Sequence, residues 1–69
     1  MRSMNRQDVI NQLKALVDEY GSQKALADEM GITASYLSDI LNGKRDPGKS
    51  VLDWLGLERS AVLVYTKKK

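Results

Sequence analysis

The sequence predicts an all-α bundle of four to five helices with a short C-terminal β-strand. Apolar residues recur at helical spacing in four successive segments, and a glycine follows each segment, at Gly21, Gly31, Gly43 and Gly56. Over residues 60–66 the pattern changes to a β-branched run that suits a strand.

The first helix opens at Asn5, an N-cap residue with Asp8 three positions on, and its apolar face is Val9, Leu13, Leu16, Val17 and Tyr20 before Gly21 closes it. Ser22 caps a second helix over Gln23–Met30, whose Leu26, Ala27 and Met30 share one face. Thr33 caps a third, which begins at Ala34 and ends near Asn42. At ~100° per residue, Ala34, Ser35, Ser38, Asp39 and Asn42 fall in one arc of ~140°, with Tyr36, Leu37, Ile40 and Leu41 opposite. Asp46 and Pro47 have the N-cap and first-turn signature of a fourth helix, which carries Val51, Leu52, Trp54 and Leu55 to Gly56. Ala61, Val62, Leu63, Val64 and Tyr65 are apolar on both faces, and three lysines end the chain. Residues 1–59 thus form the main domain, and residues 60–69 a strand with a basic tail that can serve as a dimerisation element.

At 69 residues, 42% hydrophobic and 29% charged, the chain has room for one soluble domain. So small a core holds only ~3 to 5 kcal/mol of net stability, which natural chains supplement with a disulfide, a metal or a partner subunit. With no cysteine and no histidine, neither a disulfide nor a zinc-finger ligand set can be built, and no metal or cofactor is expected. A partner subunit remains as the open route. The same shortage argues against an enzyme, since no glycine-rich phosphate loop and no serine beside a recognisable base is present. No apolar run approaches ~18 residues and no signal peptide is evident, so membrane insertion and export are not expected and the location is cytoplasmic. The net charge of +2 is unevenly spread: Asp8, Asp18, Glu19, Asp28 and Glu29 lie in the first half, and Lys44, Arg45, Lys49, Arg59, Lys67, Lys68 and Lys69 in the second. That asymmetry favours an anionic partner on one side.

Residues 23–42 bring the second and third helices into an angled pair. Ala27 is small where two helices must nearly touch, Gly31 reverses the chain, Ile32 plugs the turn, and Leu26, Met30, Leu37 and Ile40 fill the wedge. The polar arc of the third helix then faces outward. Its Ala34, Ser35 and Ser38 are short where lysine or glutamate would be the usual exposed choices, and short side chains let a helix sit close to bases in a major groove ~12 Å wide.

The run Ser22, Gln23, Lys24, Ala25, Leu26, Ala27, Asp28, Glu29, Met30, Gly31, Ile32, Thr33, with Tyr36, Leu37, Ser38, Asp39, Ile40, Leu41, Asn42 and Gly43, resembles the Cro and lambda-repressor-like helix-turn-helix family of bacterial and phage regulators. The resemblance spans roughly residues 6–57. It implies a lambda-repressor-like bundle that binds double-stranded operator DNA with its third helix. Thr33, Ala34, Ser35, Ser38 and Asp39 would contact bases; Ser22, Gln23, Asn42, Lys44 and Arg45 would contact phosphates. Ala34 departs from the glutamine that relatives often carry there, so readout leans on Ser35, Ser38, Asp39 and the Thr33 methyl group. Asp39 near DNA has two uses, accepting from a cytosine amino group or orienting a neighbouring basic side chain.

One recognition helix reads about four or five base pairs, so a homodimer on a two-fold operator is expected. Its contact is expected from Val62, Val64 and Tyr65, pairing with the mate as an antiparallel ribbon, with Trp54 at the interface. The alternative is that this strand folds back on the first helix. A different function, antitoxin-like or adaptor, would have a second protein as its main partner.

Overall fold

The computed structural model describes residues 3–61 and 64–67. In chain order they form β1 (Met4–Asn5), α1 (Arg6–Tyr20), α2 (Gln23–Met30), α3 (Ala34–Leu41), α4 (Lys49–Leu55), β2 (Leu57–Ala61) and β3 (Val64–Lys67). Local chemistry sets the first three helix starts. The Asn5 side chain accepts from the Asp8 N–H at 2.8 Å while the Asp8 carboxylate accepts from the Asn5 N–H at 3.0 Å, a reciprocal capping box. Ser22 Oγ accepts from the Ala25 N–H at 3.1 Å, and Thr33 Oγ1 from the Tyr36 N–H at 3.0 Å.

The fourth helix starts differently from the sequence expectation. Its N-cap is Gly48, with no side-chain cap, and the helix proper begins at Lys49. Asp46 has its carboxylate engaged elsewhere, with Arg6 and Arg59, and Pro47 is buried. A Cβ placed on Gly48 would overlap the Tyr36 hydroxyl, so this loop comes close to α3 there.

The all-α expectation with a single C-terminal strand is also corrected: four helices are joined by a three-stranded sheet in the order β1-β3-β2. β3 is the middle strand and antiparallel to both neighbours, with Met4 opposite Tyr65 and Asn5 opposite Val64 on one side. On the other side Leu57, Glu58 and Arg59 face Lys67, Thr66 and Tyr65, and the register shifts before Ala61 meets Val64. The physical reason is edge satisfaction. A strand needs partners for its backbone groups, and β3 finds them on both sides within its own chain rather than in a two-fold mate. The expected pairing of residues 60–66 as one ribbon with a second copy therefore does not hold for β3, nor does the fold-back on α1 as a lone strand. Val62 and Leu63 lie outside the described residues.

The core sits where the helices meet the sheet. Val9 and Leu13 of α1, Leu26 and Ala27 of α2, Leu37 and Ile40 of α3, Val51 of α4 and Tyr65 of β3 are all fully buried, with Leu57 at 2% exposure. At roughly 1.5 to 3 kcal/mol per large buried side chain, this shared cluster fixes how α3 is held. Among the described residues, no helix is long and apolar enough to cross a membrane.

Candidate nucleic-acid interface

The turn between α2 and α3 is built on Gly31, which has φ 75° and ψ 28°. Its N–H and that of Ile32 return to the end of α2, Gly31 to the Asp28 carbonyl at 3.2 Å and Ile32 to the Ala27 carbonyl at 3.0 Å. These bonds satisfy carbonyls that a helix end otherwise leaves open. Leu26, Ala27, Met30, Leu37 and Ile40 are buried between the helices and Ile32 is half-buried over the turn, as the wedge required. The inner face of α3 is therefore pinned, and its orientation is rigid.

On the outer side, Thr33, Ala34 and Ser35 are exposed, and Ser38 and Asp39 are half-buried. These five expected base readers thus share the projecting surface that begins at the N-terminus of α3. Ser38 Oγ accepts from Asn42 Nδ2 at 3.3 Å, one turn along. Asp39 is committed to its own loop: its carbonyl accepts from the Lys44 N–H at 2.8 Å and the Arg45 N–H at 3.3 Å, and its carboxylate from Arg45 Nε at 3.4 Å. Arg45 also lies 5.9 Å from the centre of the Tyr36 ring, within cation–π range. Of the two uses open to Asp39, the geometry contains the second, orienting a basic side chain.

The expected phosphate ligands fall into two groups. Lys44 and Arg45 are exposed in the loop after α3. Gln23 and Asn42 line one depression of about 380 Å³, beside Ser22 at the start of α2. Lys14 and Asp18 of α1 also line it, with Val17 and Leu41. Lys14 was not among the residues singled out from sequence, because as one exposed cation on the polar side of a helix it carries no local signal. The association of Arg6, Asp46 and Arg59 carries no local signal either, because the three are remote in sequence and meet only in the fold.

The expected dimer residues separate. Tyr65 is fully buried in its own core, so its side chain is not available to a mate, and Val64 is half-buried in the middle strand. Burial drives the Tyr65 phenol pKa up, and the negative charge of Asp46 adds to the shift, while Arg59 and Arg6 oppose it. Its hydroxyl is buried without a hydrogen-bond partner among the described residues. Trp54 stays 36% exposed, packed edge-on against Tyr20 with ring centroids 6.3 Å apart.

Two packed helices with a glycine turn, a buried inner face and a projecting N-terminal surface of short polar side chains define a DNA-binding helix-turn-helix domain. A helix-turn-helix family model matches residues 13–53, more than half of the chain. The chain belongs to the lambda-repressor-like, or XRE, helix-turn-helix family, whose domain makes it a DNA-binding transcription regulator in general terms. No curated protein and no solved structure gives a significant match.

Proposed function

We propose that the protein is a Cro-like or repressor-like regulator of phage or prophage type that binds operator DNA sequence-specifically, laying α3 in the major groove. The observation that carries this reading is the exposure of Thr33, Ala34 and Ser35 directly ahead of the buried Leu37 and Ile40: a short-chained, rigidly held helix start is what close approach to base edges needs. Ser35, Ser38 and the Thr33 methyl group read bases, Ala34 permits close approach, and Asp39 acts through Arg45. Ser22, Gln23, Asn42, Lys44 and Arg45 bind phosphates and set register. No catalytic step, metal or cofactor enters.

It acts in the cytoplasm as a homodimer, because one helix reads too few base pairs to single out a site and a second subunit roughly squares the selectivity. With β3 enclosed, the contact is the outer edge of β2 or the Tyr20–Trp54 pair. In-vitro selection of bound duplex, followed by sedimentation of the free and bound protein, tests both parts. An enriched motif with two-fold symmetry bound by two copies is expected. No enriched motif, together with a co-purifying protein, would favour the adaptor role instead.

A further inference from the structure

We propose that Asp46 is a positioning residue for DNA binding: clamped between Arg6 of α1 and Arg59 of β2, it holds the loop after α3 so that Lys44 and Arg45 meet the phosphates. The proposal rests on the DNA-binding reading above.

The loop over residues 42–48 crosses from α3 to α4 and carries the two exposed cations in its middle. Its first half is tied back to α3 through the Asp39 carbonyl, which receives the N–H groups of both Lys44 and Arg45. The Arg45 side chain is guided by the Asp39 carboxylate and the Tyr36 ring. Its last part is packed down, with Pro47 buried and Gly48 against the Tyr36 hydroxyl. Asp46 lies between these anchorages. Its Oδ1 accepts from Arg6 Nη1 at 2.9 Å and its Oδ2 faces Arg59 Nη2 at 3.8 Å, so one carboxylate ties the loop to the first helix and to the sheet.

Charge makes this placement informative. A carboxylate next to Lys44, Arg45 and Lys49 weakens the pull on phosphate, and leaving it there is unfavourable for binding unless it does something else. Two guanidiniums around one carboxylate keep the cluster net cationic while fixing where the loop runs. All three side chains are partly exposed, at 39%, 42% and 53% for Arg6, Asp46 and Arg59, so the pairs are screened and contribute little to global stability. What they set is position.

The test compares wild type with Asp46→Asn, which keeps the shape and removes the charge, and with Asp46→Glu, which keeps the charge. Three quantities are read: the melting temperature, the backbone order of residues 43–45 in the free protein by NMR relaxation, and affinity for a selected operator and for random duplex across salt. For Asp46→Asn the melting temperature is expected to fall by no more than roughly 5 °C. Loop order falls, and operator affinity drops roughly tenfold as Lys44 and Arg45 lose register, whereas random-duplex affinity holds or rises because a negative charge is gone. Asp46→Glu recovers most of the operator affinity. Unchanged loop order, unchanged operator affinity, or a parallel loss of operator and random affinity that follows the loss of melting temperature would each overturn the proposal. A wild-type protein that binds no duplex would overturn it together with the DNA-binding reading, and the NMR measurement, made without DNA, separates that failure from failure of the clamp.

Discussion

Gly31, Tyr65 and Lys44 carry different parts of the account, and each can be tested by a single substitution. At Gly31 the backbone stands at φ 75°, where a Cβ is strained although the space around it is open. Gly31→Ala is therefore expected to cost about 1 kcal/mol, seen as a lower urea midpoint, with the chain still helical. Tyr65 has its ring fully buried and its hydroxyl unpaired among the described residues, so Tyr65→Phe is expected to hold or raise the melting temperature, an unmade buried hydrogen bond being worth about 1 kcal/mol or more. The sign of its titration follows from the raised pKa. The folded state binds this proton more tightly than the unfolded state does, so the contribution is fully present below the ordinary value of 10.0 and is lost as pH rises through the folded value. Alkaline melting curves should show this component in wild type and lack it in Tyr65→Phe. Lys44→Ala is expected to weaken operator and random duplex alike and to lower the salt slope by about 1, whereas loss of operator binding alone would make Lys44 a base reader.

At the scale of elements, what was legible in the sequence was local. Asn5 with Asp8, Ser22 and Thr33 cap helices through bonds three residues long, and Gly21 and Gly31 end α1 and α2 with left-handed backbone, so α1, α2 and the start of α3 could be placed from patterns within a few residues. The wedge around Ala27 was legible for the same reason. What was not legible depends on distant partners. Met4 and Asn5 form a strand of two residues only because Tyr65 and Val64 come beside them, and Asp46 leaves its N-cap role because Arg6 and Arg59 offer a charged alternative. Leu57, Glu58, Arg59 and Ser60 show no clean alternation, and charged residues suit β2 as an edge strand rather than betray it as one. The enclosure of β3 makes a prediction that differs from a dimer ribbon. Val64→Pro places a residue without an N–H in a strand flanked on both sides, and is expected to lower the melting temperature sharply at every protein concentration. Intact stability with loss of dimer alone would contradict the sheet order. Truncation from residue 61 onward has the same consequence, since it removes Tyr65 from the core.

For the molecule as a whole, the sheet and α3 are one construction. Tyr65, Leu57 and Val51 pack into the cluster that also holds Leu37 and Ile40, so the fold that stabilises a short chain also fixes α3, the helix proposed to read DNA. Two cations of the second half, Lys44 and Arg45, stand in the loop directly after that helix, so a chain of net charge +2 can present a locally basic surface there. The central claim is that the N-terminal surface of α3 reads duplex sequence, and it is tested most directly by the ratio of operator to random-duplex affinity in wild type and in Ser35→Leu. Ser35 is exposed at the start of the helix, so leucine there should leave the fold and the charge unchanged while holding the helix off the bases. Wild type is expected to prefer a selected operator by roughly a thousandfold or more. Ser35→Leu should lose most of that preference, with random-duplex affinity nearly constant. An undiminished preference in Ser35→Leu would contradict the account.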